Sequence, residues 1–229
     1  MSKTILAIDA CTRLASIALA QEGRVLAEHT WMAGQDHTAQ LAPRIQLLLA
    51  QSSLASANLD AIAVAIGPGS FNGVRAGMAL AKGMAFALNI PLAGLSTLEV
   101  QAYPFAPTGL PVCAIQDAGR GELAVAVFRT QRLLWRRLHP EAITSWDQLQ
   151  DLIPRPAIIC GDIHPDLAAE IRRRLGAKAL LASPAAGPRR AGYLAELGWM
   201  QLKEGKAGDP SLVQPLYLRR PAVTERRKP

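Results

Sequence analysis

Short apolar runs and helical stripes follow one another in the same order twice along the chain. Residues 4–8 (TILAI) read as a strand that ends on Asp9. Residues 15–20 and 25–30 read as two more, joined through the turn at Glu22-Gly23. Connections this short make the three an antiparallel meander. A helix is predicted over 38–51, where Leu41, Ile45, Leu48 and Leu49 recur at helical spacing. Pro43 is expected in or near its first turn, where a missing N–H costs least. Residues 61–66 (AIAVAI) form a continuous apolar run, the mark of a strand covered on both faces. A second helix reaches about residue 88 on a stripe of Val74, Met78, Ala81, Ala85 and Leu88. A strand at 91–94 precedes Ser96, which with Glu99 three residues on predicts a capping box. Residues 103–109, with Pro104, Pro107 and Gly109, read as a linker.

The second half repeats the plan. A strand at 111–115 leads to Asp117, and strands at 123–128 and 133–138 follow the turn at 119–121. Then come a helix at 145–152, a strand at 157–160, a helix at 165–175, a strand at 178–182 and a last helix near 189–203. Three meandering strands followed by alternating helices and strands indicate a mixed sheet flanked by helices, built twice. The expected division is an N-terminal lobe over 1–105 and a C-terminal lobe over 106–218, with the last helix free to pack back on the first lobe. A basic tail covers 219–229.

Composition narrows the class. The chain has 229 residues, 50% of them hydrophobic but only 5% aromatic, so its core must be built from small and aliphatic side chains. No apolar run approaches the ~20 residues of a membrane span. The first apolar run meets Asp9 too soon for a signal peptide, so a cytoplasmic protein without membrane contact is expected. Cys11, Cys113 and Cys160 form no CxxC pair and are expected to be buried. The histidines make no HExxH pair, and no metal site is expected. The net charge is +7. Part of it comes from Arg219, Arg220, Arg226, Arg227 and Lys228, opposed in the tail by Glu225 alone. A basic balance points to an anionic partner, nucleic acid first. The tail is expected to be extended and to offer its cations to phosphates.

The most specific string is GPGSFNGVRAG at 67–77, between a buried strand and a helix. Free backbone N–H groups at a helix N-terminus can cradle an anion. Yet the string lacks the lysine and spacing of a Walker loop, and glycines equally serve a sharp turn and close packing. Gly67, Pro68, Gly69, Ser70, Phe71, Gly73, Arg75 and Gly77 are its motif positions. Asp9 and Asp117 end the first strand of each half. Such a pair could face a magnesium nucleotide across a cleft, or each could merely cap its own turn. An adenosine loop in the second half would need paired glycines, and Gly161-Asp162-Ile163 has one. No Ser-His-Asp or Cys-His arrangement can be assigned from spacing.

This double architecture resembles the actin, hexokinase and Hsp70 superfamily. It implies an α/β fold of two tandem actin-like (ASKHA, ribonuclease H-like) lobes. The sequence further resembles the TsaB (YeaZ) family through ILAIDACTRLASIAL at 5–19, HTAQLAPRIQLLL at 37–49 and the glycine motif. The likeness continues in AKGMA at 81–85, GLSTLEVQA at 94–102, QDAGRGELAVAVF at 116–128 and PLYLR at 215–219. Departures are Ala10-Cys11, where the family usually has Thr-Ser, Asn72, where it has Thr, and Gly119, where it has Arg. The resemblance implies a pseudo-enzyme subunit in tRNA threonylcarbamoyladenosine formation. It would be scaffold and activator of the catalytic paralogue TsaD, joined by the ATPase TsaE, with tRNA reached through the complex. It would hold no cofactor of its own, with ATP or ADP left open at the joint of the complex and Asp9 and Asp117 a vestigial nucleotide cleft. The pairing helices would be those at about 38–51 and 72–88, through Leu41, Ile45, Leu48, Val74, Ala76, Met78, Ala79 and Lys82. The same helices would form a homodimer when the chain is alone. An ATP-dependent small-molecule kinase of the same superfamily and a stand-alone RNA-binding protein are the competing readings.

Overall fold

The computed structural model describes residues 2–34 and 36–219. Its elements begin with strands β1 (Thr4–Asp9), β2 (Leu14–Gln21) and β3 (Arg24–Met32), then helix α1 (His37–Gln51). Next come β4 (Ala61–Ala65), α2 (Phe71–Leu88), β5 (Leu92–Leu95) and α3 (Thr97–Ala102). The second half holds β6 (Val112–Asp117), β7 (Leu123–Gln131), β8 (Leu134–Thr144), α4 (Trp146–Leu152), β9 (Ala157–Gly161), α5 (Pro165–Leu175), β10 (Ala179–Leu181) and α6 (Ala191–Lys203). The first sheet has the order β3-β2-β1-β4-β5, and the second, from its opposite edge, β8-β7-β6-β9-β10. In each, the first strand pairs antiparallel to its hairpin neighbour and parallel to the strand after the helix. The repeat in the sequence is thus a repeat of topology.

Strand alternation gives the first sheet two chemically different faces. Leu6, Ile8, Ile17, Leu19, Ile62 and Val64 pack beneath α1 and α2. The other face is paved with Ala7, Ala18, Ala20, Ala61, Ala63 and Ala65, and α6 lies on it through Leu194, Ala195 and Leu197. Small side chains let helix and sheet approach closely: a Cβ on Gly198 would stand 2.5 Å from the Ala63 Cβ. The alanine-rich composition therefore builds one particular surface, and the last helix of the chain lies on the first sheet. Burying Leu194 and Leu197 there contributes roughly 1.5–3 kcal/mol each.

The second sheet is covered by α4 and α5 through Leu149, Leu167, Ile171 and Leu175. Its other face carries Leu98 of α3 and Phe128, on which Trp135 stacks at 5.4 Å. The stretch 103–109 is no slack linker. Tyr103–Thr108 is a 3-10 helix, and the Tyr103 hydroxyl donates to Glu196 Oε1 of α6 at 2.9 Å. Tyr103 also packs edge-on against Trp135 and Tyr193, joining the lobes.

Other expectations need correcting. Pro43 sits inside α1, beyond its first turn, on the exposed side where its ring meets solvent. The Ser96–Glu99 capping box does not form, because Glu99 is drawn to Arg137 Nη2 across the lobe junction at 3.4 Å. β8 runs on to Thr144 past the 133–138 expected, its polar positions facing solvent as the sheet's edge. Of the basic tail, Arg219 donates Nη1 to Ala118 O at 3.1 Å and pairs with Glu122. The tail from residue 220 on lies outside the described residues.

Candidate functional site

The ends of β1 and β6 meet the junction of the lobes, and their acids have different surroundings. Asp9 is buried at 1% exposure, and its Oδ1 accepts the Cys11 N–H at 2.9 Å. The Arg189 guanidinium closes on it from the other side. Nε donates to Oδ2 at 2.7 Å and Nη2 to Oδ1 at 3.3 Å, with Nη2 also reaching Thr12 Oγ1 at 3.4 Å. Burial by itself would depress the Arg189 pKa, but the adjacent Asp9 carboxylate carries it above its ordinary value. A cation therefore already occupies the carboxylate that would meet a metal ion or phosphate-bound magnesium. Asp117, in contrast, is exposed, and among the described residues its side chain accepts only the Gly119 N–H of its own turn at 2.7 Å.

Beside Asp117 and Arg189 lies a cavity of about 190 Å³ lined by Thr12, Gln101, Gln116, Asp117, Asp162 and Arg189. Gln116 and Asp117 also line a cavity of about 410 Å³ that reaches Gly69, Ser70 and Phe71. Gly161, the single glycine of the second-half turn, has φ +146, and a Cβ there would stand 2.0 Å from Ile115 O. Its role is a close strand contact. The residues at this junction do not fit a magnesium nucleotide. Among the described residues no group of three His, Cys, Asp or Glu side chains could hold a metal ion.

The glycine motif is spent on packing. A Cβ on Gly69 would lie 2.2 Å from Cys11 O, and one on Gly73 2.1 Å from Ala10 O. The Ser70 N–H donates to Cys11 O at 2.7 Å, and Ser70 Oγ accepts the Gly73 N–H at 3.5 Å. Thr97 closes the loop by donating N–H to Gly67 O at 2.9 Å and its hydroxyl to Pro68 O at 2.6 Å. These bonds tie the start of α2 to the β1–β2 turn and occupy the Ser70 and Gly73 amides. Gly77 likewise meets Ala10, while Gly83 has nothing near it. The thin side of α2 thus admits a strand end. Arg75 lies over the Phe71 ring at 4.9 Å, and Phe71 packs on Tyr217 at 5.4 Å.

The positions expected to meet a partner divide sharply. Leu41, Ile45, Leu48, Val74 and Met78 are buried inside the chain's own core, because one apolar stripe per helix is what the sheet consumes. They offer no surface to another protein. Ala76 and Lys82 are half-buried and Ala79 is exposed; beside them Leu47 is 50% and Phe86 57% exposed.

Arg189 was not anticipated, although a signal exists. Arg189-Arg190 stands just ahead of α6, where the helix dipole disfavours cations. Both need carboxylates, and they find Asp9 and Glu28.

Two five-stranded mixed sheets of identical order, with strand-end acids at their junction, define a protein of the two-lobed actin-like class. The component A structure of (R)-2-hydroxyglutaryl-CoA dehydratase from Acidaminococcus fermentans shares this fold, with a TM-score of 0.53 at 11% identity over 88% of the present chain and 100% of that one. Residues 29–159 match the family model TsaD: tRNA N6-adenosine threonylcarbamoyltransferase. The chain is 32% identical over 222 residues, 94% of each chain, to the tRNA threonylcarbamoyladenosine biosynthesis protein TsaB of Bacillus subtilis. The structure of YeaZ from Pseudomonas aeruginosa superposes with a TM-score of 0.80, at 26% identity over 94% of this chain and 100% of that one. The chain belongs to the TsaB (YeaZ) family of tRNA threonylcarbamoyladenosine biosynthesis proteins. No described helix is long and apolar enough to cross a membrane.

Proposed function

We propose that this protein is a non-catalytic subunit that scaffolds and activates a TsaD-type transferase during threonylcarbamoyl transfer to tRNA. A TsaE-type ATPase would join the pair, in the cytoplasm. The observation that carries this reading is the Asp9–Arg189 pair: the acid best placed for phosphate chemistry is buried and already neutralised. The same pair weighs against the small-molecule kinase. Association would use the outer faces of α1 and α2, where Leu47, Ala79 and Phe86 are exposed, and the same faces would pair two copies when the chain is alone. The chain would need no cofactor of its own, any ATP or ADP belonging to the joint of the complex.

Reconstitution of tRNA modification tests this. The transferase, the ATPase and the enzyme that makes threonylcarbamoyl-adenylate are assayed with and without this chain. Modified tRNA should form only when the chain is present, and the chain alone should form neither adenylate nor modified tRNA. Full modification without the chain would refute the activator role, and turnover by the chain alone would refute the absence of catalysis.

A further inference from the structure

At the end of the second sheet opposite Asp117, β7 and β8 run out as a ribbon. Trp135 and Arg137 turn one face of it toward Tyr103 and Glu99, and Arg129, Arg132 and Arg136 are exposed. Arg129 stands directly across the ladder from Arg136. Like charges in that position repel and destabilise a sheet. Between them the two-residue turn Arg132-Leu133 has both residues at positive φ, +49 and +65. Such turns favour Asn and Gly, and a leucine there is strained. Leu133 is nevertheless 96% exposed and packs on nothing that would compensate. Repulsion and strain kept together on an exposed tip indicate a surface maintained for a ligand.

Topology brings more cations to the same end. Ile158, Val112 and Phe128 share one row of the sheet, so Arg155, just before β9, lies at the end occupied by Arg129. α5 descends to the start of β10 and so delivers Arg172, Arg173 and Arg174 there as well. Arg173 and Arg174 pair with Glu170, and Arg137 pairs with Glu99 and Glu141. Among the described residues, Arg129, Arg132, Arg136, Arg155 and Arg172 have no carboxylate partner. Among the described residues Asp147, which Arg174 holds at 3.0 Å, and Asp151, in the last turn of α4, are exposed acids near these arginines. Arg129 Nε donates to Gly109 O at 2.9 Å, which fixes its guanidinium and leaves both Nη groups for a ligand.

We propose that this arginine-bearing end of the second lobe binds the phosphate backbone of tRNA. The three strand steps from β9 to β8 span ~15 Å, room for about three consecutive phosphates of one strand. Guanidinium forks suit phosphate oxygens, and backbone contacts of this kind position a nucleic acid without reading its sequence. The proposal rests on the chain being a subunit of a tRNA-modifying complex, and it places the tRNA contact on a face other than α1 and α2.

The test uses the full chain assembled with its transferase partner and unmodified tRNA. Dissociation constants are measured across a salt series for the wild type and for a variant combining Arg132→Gln, Arg136→Gln and Arg155→Gln. Each lost contact should flatten the log–log salt slope by roughly 0.7–0.9, or about two to three for the variant, and weaken low-salt binding about tenfold or more. Arg132→Gln alone, at a fully exposed tip, should flatten it by just under one unit. Leu133→Gly, which keeps every charge, should leave the slope unchanged. An unchanged slope in the triple variant would overturn the proposal. So would lost assembly with unchanged tRNA affinity, which would make the ribbon a protein contact. Binding of the chain to phosphatidylserine vesicles with no arginine-dependent tRNA binding would assign it to a membrane surface instead. If the wild type neither assembles nor supports modification, the subunit reading fails; the salt slope of the chain alone then still decides the phosphate contact.

Discussion

The two lobes share one strand order but differ at both ends of that plan. At the junction, Asp9 is buried and bound by Arg189, whereas Asp117 is exposed and holds only a turn amide. At the far end, the β2–β3 hairpin turns through Glu22-Gly23, with the glycine at φ +87 against Trp199. The β7–β8 hairpin turns through Arg132-Leu133, with the leucine in solvent. Strand-end acids and hairpin tips are therefore consequences of topology. What each does depends on the element packed against it. The first lobe has the 13-residue α6 across its sheet, which brings Arg189 to Asp9 and covers its hairpin. The second lobe has on that face only the six-residue α3, and the tip of its hairpin stays exposed.

The largest difference should appear when the acids are removed. Asp9→Ala leaves Arg189 buried and unpaired, and Arg189→Ala leaves Asp9 so; each should cost about 3–5 kcal/mol in denaturant unfolding. Asp117→Ala should change stability by no more than about 0.5 kcal/mol. Equal effects at the two acids would remove the distinction between the lobes.

The glycines of α2 sharpen it further. Gly73→Ala forces a Cβ onto Ala10 O and should cost about 1–3 kcal/mol. Gly83→Ala meets open space and should gain up to about 1 kcal/mol from helix propensity. The hairpins should respond in opposite senses. Leu133→Gly should stabilise by about 1 kcal/mol by relieving a left-handed leucine, while Gly23→Leu should destabilise by at least as much. Both lobes should agree on one small effect. Burial pushes the Cys113 thiol up to about 12 and raises those of Cys11 and Cys160 as well. Alkylation at neutral pH should therefore await unfolding at all three.

Regular structure was legible because the inner strands are apolar runs and each long helix carries one apolar stripe, as in AIAVAI and in Leu41, Ile45, Leu48. The polar edge strand β8 instead runs beyond the extent its sequence predicts. A stripe records what the chain's own sheet consumes, so it leaves Leu41, Ile45, Leu48, Val74 and Met78 buried. The exposed Leu47 and Phe86 carry no periodic mark. The Asp9–Arg189 pair joins residues at opposite ends of the sequence, and spacing along the chain holds no record of that. Ser96-Glu99 read as a local cap, but a tertiary cation, Arg137, drew the glutamate away. Local patterns gave the elements, and long-range charge pairing decided the junction.

The sharpest separation of surface from cleft is tRNA threonylcarbamoyladenosine formation by the reconstituted complex, carrying this chain as Asp117→Asn or as Ala79→Glu. A scaffold acting through its helices predicts modification within about twofold of wild type for Asp117→Asn. For Ala79→Glu it predicts the level found when the chain is left out. Modification lost in Asp117→Asn and retained in Ala79→Glu would contradict it, and would return the chemistry to the junction between the lobes.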